Sequence, residues 1–202
     1  MAGMVFVMKI GVTVRVDRTK ELAANIAKLP ELRVLVGFPR ETAPRKGEPI
    51  TNAELGYIHN YGSASQRIPP RPALVPGVEA ALPAIERQLQ LAAVAAVTGR
   101  DPLVSFHAAG LLAQASIKSV IRAGIPPPLA PRTVQQRIAR RADPSWRAKK
   151  QAAVDANVAA GRPPGAGLFT PLIDTGSFIN AVNYVIRKKD RTVAGGPGTG
   201  SS

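Results

Sequence analysis

The sequence contains no cysteine, so neither a disulfide nor a thiolate metal site is available to it. That absence fits assembly in a reducing cytosol. Aromatic residues are scarce, at 4% of 202. Alanine and valine must therefore carry much of the packing, which suits helices that lie close together. Acidic residues are outnumbered 13 to 27 by lysine and arginine, which leaves a formal charge of +14. Such a balance points to a nucleic acid, an anionic surface or acidic protein neighbours, and does not choose among them. Long apolar runs are missing too, since none approaches the roughly 18 residues of a membrane span. Met1 to Ile10 is apolar, but Lys9 follows the run instead of preceding it, which is not signal-peptide order. We expect a soluble protein without a membrane partner.

The residues of catalysis are equally thin. The only histidines, His59 and His107, stand 48 positions apart. No serine occupies a nucleophile elbow, and no glycine loop that could cradle a phosphate precedes a helix. One enzyme signature does occur. Leu172-Ile173-Asp174-Thr175-Gly176 matches the short motif of aspartic proteases, whose paired carboxylates share a proton. A dimeric protease of that kind also needs a glycine-rich flap and a second hydrophobic-glycine strand, and the 26 residues after Gly176 supply neither. Asp174, Thr175 and Gly176 read instead as a turn whose side chains cap the following helical turn. Nothing demands an enzyme, a metal or a cofactor.

What the chain has in quantity is proline, 19 residues, and glycine, 18. Both exceed ordinary use and imply extended arms and turns around a modest core. Lys9 to Asp17 alternates, with Ile10, Val12, Val14 and Val16 on one face, and predicts a half-buried strand. Asp17 can cap a helix carrying Leu22, Ile26 and Leu29 and stopped by Pro30. Leu32 to Phe38 reads as a second strand, so a helix should lie across a small sheet. Arg40 to Pro49 is a charged loop. Pro76 to Thr98 predicts a long helix with Val78, Leu82, Ile85, Leu89, Ala92 and Ala96 inside. A second helix follows from Asp101 to about Arg122, burying Leu103, Phe106, Leu111, Ala115 and Ile117, with His107 at its boundary. The short break between them implies an antiparallel hairpin or one kinked rod. Asn183 to Ile186 reads as a closing strand with Tyr184 and Ile186 on one face.

Three stretches stand out. Ala53 to Pro72 begins as a short helix capped by Thr51 or Asn52, turns at Gly62 and leaves through Ile68-Pro69-Pro70-Arg71-Pro72. Its prolines pre-set an extended arm with Arg71 projecting. Such an arm either docks on a neighbour at low entropic cost or straps its own domain. Tyr57 and Tyr61 read as a packed rim about the turn, and His59 as a hydrogen-bonded helix-end residue. Ile125 to Pro131 is a second stiff connector. Arg132 to Arg162 then holds eight basic residues against two acidic ones. Arg132, Arg137, Arg140, Arg141, Lys149 and Lys150, with the single tryptophan Trp146, are candidate contacts to DNA or to an acidic partner.

Three segments in order carry a resemblance: Ala53–Pro72, Pro127–Arg137 (Pro-Pro-Leu-Ala-Pro-Arg-Thr-Val-Gln-Gln-Arg) and Pro171–Ile186 (Pro-Leu-Ile-Asp-Thr-Gly-Ser-Phe-Ile-Asn-Ala-Val-Asn-Tyr-Val-Ile). Together they resemble the tail-completion and neck proteins of long-tailed bacteriophages, including the virion-morphogenesis proteins of Mu-like phages, over residues 32 to 187. The chain departs from the commoner pattern at Ala73, where an aromatic often sits, and in the longer, more basic insertion Ala139–Gly165. The resemblance implies a virion protein at the head–tail junction, a ring subunit, typically six-fold, that touches other neck, tail-tube or connector proteins and has no catalytic site. Its arms, Tyr57 to Pro72, would then be assembly contacts. We therefore expect an α+β fold: a small antiparallel sheet packed against helices, a long helical hairpin, proline-rich arms and a basic insertion. Residues 1–189 should form one domain, flexible around 139–165, with 190–202 a disordered tail.

Overall fold

The computed structural model describes residues 18–39, 49–189 and 191–196. The alternating segment Lys9–Asp17 and most of the charged loop 40–49 lie outside the described residues. The fold is α+β, as the periodicities indicate. The order of elements is α1 (Thr19–Lys28), a 3-10 turn (Leu29–Glu31), β1 (Leu32–Gly37), α2 (Asn52–Tyr61), α3 (Leu74–Val97), α4 (Leu103–Ala123), α5 (Pro131–Ala139), α6 (Pro144–Ala159), α7 (Ser177–Ala181), β2 (Asn183–Lys188) and β3 (Arg191–Gly195).

The sheet is antiparallel in the order β1-β2-β3. Val34 stands opposite Ile186 and Val36 opposite Tyr184, so a single apolar face is built from the alternate residues of two strands. Residues 190–202 are not simply a tail. Arg191–Gly195 pairs with β2 across a bulge at Ile186/Arg187. The glycines that suggest fraying tolerate this edge position, and Thr192 and Val193 supply the strand character. The helix that covers the sheet is α4, not α1. Phe106 on α4 shares a buried cluster with Tyr184 and Ile186, while α1 lies against α3 and has no fully buried residue.

α3 and α4 form the expected pair, and it is an antiparallel hairpin, since Gly77 near the start of α3 meets Ile117 in the second half of α4. A Cβ on Gly77 would lie 2.6 Å from the Ile117 Cα. The buried stripe of α4 is Phe106, Ala109, Gly110, Ala113, Gln114, Ile117 and Ile121. Leu111 and Ala115, expected inside, face outward, as do Leu82 and Leu89 of α3. Phe106 and Ile117 are inside as expected, and Ala109, Gly110 and Ala113 share the inner face with them where the packing is closest. Gly110 lies under the Tyr184 ring with no space for a methyl group. Gln114 ties α4 to the start of β2 by donating to the Val182 carbonyl at 2.9 Å. Asp101 does cap α4, its Oδ1 accepting from the Leu103 amide at 2.9 Å. By length and composition α4 is one described helix that could cross a membrane. Here its buried stripe is spent on α3 and the sheet.

The basic segment around 139–165 is helical over most of its length. Asp143 caps α6 by accepting from the Ser145 and Trp146 amides. Val154 of α6 packs with Val134 and Ile138 of α5 in a small core of its own, with Leu129, Leu168 and Phe169 around it.

Candidate functional site

The two proline arms do not leave the molecule. A run of prolines offers carbonyls but no N–H, so its acceptors need donors from elsewhere. Arg71 provides them. Its Nε donates to the Pro127 carbonyl at 3.1 Å, and its Nη2 donates to Pro127 at 2.8 Å and to Pro128 at 3.3 Å. The Pro126–Pro127 peptide bond is cis. Arg71 is 6% exposed, so the expectation that it projects is corrected. It is the rivet of an intrachain strap. Burial, and then the charge of Arg137, push its pKa below the ordinary arginine value.

The near end of the strap is fixed by the turn after α2. Gly62 has φ +75°, and a Cβ there would meet the Ile68 carbonyl at 2.7 Å. Ser63 and Ile68 exchange backbone hydrogen bonds across the loop, and the Arg71 amide donates to the His59 carbonyl at 2.6 Å. α2 itself starts with a capping box between Thr51 and Glu54. Those bonds hold the Glu54 carboxylate below its usual pKa.

A second arginine does similar work from α5. Arg137 donates to the Thr170 carbonyl at 3.1 Å and to the Ile173 carbonyl at 2.6 Å. Its side chain is nearly buried and sits 3.7 Å from Asp174. It is therefore a structural staple, not the surface contact its sequence neighbourhood suggests. Burial pushes its pKa down, partly countered by Asp174. Asp174 does not cap α7. Its carboxylate pairs with Arg140 at 3.1 Å, while Thr175 Oγ1 accepts from the Ser177 amide at 3.4 Å. Gly176, at φ +84°, is the left-handed residue before α7.

These staples enclose a groove of about 860 Å³. α2 contributes Leu55 and His59; the strap gives Arg67, Ile68, Pro69 and Arg71. Pro128 and Leu129 of the second arm, Arg137 and Arg140 of the α5 region, and Leu172, Asp174 and Phe178 complete the lining. Leu55, Ile68, Leu129 and Leu172 give the groove apolar surface. His59 meets the Phe178 ring edge-on at 5.2 Å between centroids. Among the described residues four arginines line the groove against one carboxylate, Asp174. Pro70 and Pro72 remain exposed on the outer side of the strap.

Tyr57 and Tyr61 are corrected from packed rim to open surface. They stand one helical turn apart on the outer face of α2, each 67% exposed, with rings 4.7 Å apart. His107 is anchored too, its Nδ1 2.9 Å from the Tyr184 hydroxyl. Of the basic candidates, Arg132, Arg140, Arg141 and Lys149 are exposed and Lys150 is half-buried. Trp146 is already engaged by Arg141 at 5.6 Å and Lys150 at 5.8 Å, with Phe169 at its edge. Among the described residues no three His, Asp or Glu side chains gather as a metal site. Protein-family models, curated proteins and solved structures yield no match to the chain.

Proposed function

We propose that the chain is a structural ring subunit at the head–tail junction of a tailed bacteriophage, one that terminates or completes the tail and joins it to the head. The observation that carries this reading is convergence. The three stretches on which the resemblance rests lie far apart in sequence, and all three line the one groove, through His59, Ile68 and Arg71, through Pro128 and Arg137, and through Leu172, Asp174 and Phe178. Motifs scattered by chance have no physical reason to meet. Exposed apolar side chains add support: Leu91, Val94 and Val104 border one open hollow at the hairpin end, and uncovered apolar patches mark protein contacts.

In this reading the partners are further copies of the chain in a six-membered ring, and neck, tail-tube or connector proteins above and below. The protein works in the virion after assembly in the host cytoplasm. No catalysis is assigned and no cofactor, because Asp174, the one carboxylate among the described residues of the groove, is held by two arginines. Particles made without the protein should carry unjoined or unfinished tails under negative stain. Normal joined virions in its absence would sink the reading.

The alternative is a basic nucleic-acid module using residues 132–150. Exposed Arg132, Arg141 and Lys149 favour backbone contact with DNA passing the junction. The engagement of Trp146 by its own chain argues against base stacking. A steep loss of DNA affinity with added salt, abolished by neutralising those three residues, would favour this alternative.

A further inference from the structure

Among the described residues the groove holds more positive charge than negative. Arg67, Arg71, Arg137 and Arg140 line it, and Asp174 is the single carboxylate among the described residues. Arg71 is buried and the Arg137 side chain nearly so, while Arg140 stays largely exposed although it pairs with Asp174. Leu55, Ile68, Leu129 and Leu172 line the same groove, so a fitting ligand pairs carboxylates with aliphatic groups. Among the described residues the groove offers bases only the half-buried His59 for stacking, since Phe178 is buried in the core, and this favours a peptide over a nucleic acid.

The same chain exposes such a ligand. Val75, Glu79, Leu82, Glu86 and Leu89 recur at helical spacing along one side of α3, and all five are exposed. Glu79 and Glu86 form no ion pair among the described residues. They stand two turns apart, about 10 Å along the axis. Pro83, inside the helix, has no N–H to give the Glu79 carbonyl. One helix side thus carries two carboxylates, a spare backbone acceptor and three aliphatic side chains.

We propose that this α3 stripe of one copy docks in the groove of the next, Glu79 and Glu86 meeting Arg67 and Arg140 around Leu82. The proposal rests on the ring reading and supplies its contact. Stripe and groove are different surfaces, so the contact is head-to-tail, the kind that closes into a ring by rotation. It also explains how a chain of +14 can associate with itself: acids and bases are sorted onto complementary faces.

The test is sedimentation velocity on the full chain and two charge-reversed variants, each first checked for an unchanged thermal midpoint. One carries Glu79→Lys and Glu86→Lys, the other Arg67→Glu and Arg140→Glu. Each alone should raise the concentration needed for assembly on the order of a hundredfold. Mixed in equal amounts they should assemble again, because each stripe then finds the opposite charge in its neighbour's groove. If the variants assemble like the native chain, or if mixing restores nothing, the pairing is overturned while the ring reading stands. If reversing Arg67 and Arg140 abolishes binding of a DNA duplex but leaves assembly intact, the groove belongs to DNA and the pairing falls. A native chain that stays monomeric at every concentration overturns the ring reading itself.

Discussion

The strapped junction and the far end of the helical hairpin are built on opposite principles. At the junction every stiff segment is tied down: Arg71 holds the second proline arm, Arg137 holds the Thr170–Ile173 turn, and Gly62 lets the chain fold back on α2. At the hairpin end, Leu91, Val94 and Val104 surround an open hollow of about 440 Å³, and Val104 is 72% exposed. One region is completed by its own chain. The other is left apolar and uncovered. The contrast teaches that the proline arms brace the chain internally, while their outer side, the groove they wall and the helix faces stay open to a neighbour.

The sharpest way to break that contrast is to remove a rivet. Arg71→Met deletes three hydrogen bonds and leaves the Pro127 and Pro128 carbonyls without their donor, which should cost about 2–4 kcal/mol. Thermal unfolding should move down by roughly 5–15 °C. An unchanged midpoint would mean that the arms brace themselves without it.

A smaller loss is expected on the packed side of the hairpin. Gly110→Ala places a methyl group against the Tyr184 ring, and overpacking of this kind costs about 1–3 kcal/mol. Denaturant titration reads it, and the same titration on Val104→Asn should show a change within about 0.5 kcal/mol. A marked loss for Val104→Asn would show that the hairpin end is covered after all.

The smallest effect concerns pH. The folded Glu54 carboxylate lies below its ordinary pKa because the Thr51 amide and hydroxyl donate to it. Its contribution is therefore full above the unfolded carboxylate value and is lost as pH falls through the lower folded one. Glu54→Gln keeps the capping shape without the charge. The native chain should be the more stable near neutrality, and the gap should close on acidification. A constant gap from neutral to acidic pH would mean that charge plays no part in the box.

Much of the fold is legible in the sequence, for identifiable reasons. The α2 cap, both long helices, β1 and β2 follow from period and punctuation, and Gly62 and Gly176 sit where the backbone turns left-handed. What misled was size. On α3 and α4 the large aliphatic residues follow helical spacing, yet Gly77, Gly110 and Ala113 share the inner face because close approach rewards small side chains. The groove was half visible. Its three walls were each conspicuous, but nothing local says that Arg71 turns inward and Arg137 with it. The usable signal is the excess of proline carbonyls, which require donors. Asp174 was read as a cap because its turn precedes a helix, and only the placement of α5 shows that Arg140 claims it. β3 was hidden by its glycines.

The central claim is that one chain builds a closed ring through unlike faces. Electron microscopy of the purified full-length protein at assembling concentration tests it most directly. The account predicts closed rings of one size with rotational symmetry, six-fold on the family resemblance. Particles that remain single subunits, or dimers related by a two-fold axis, would contradict it.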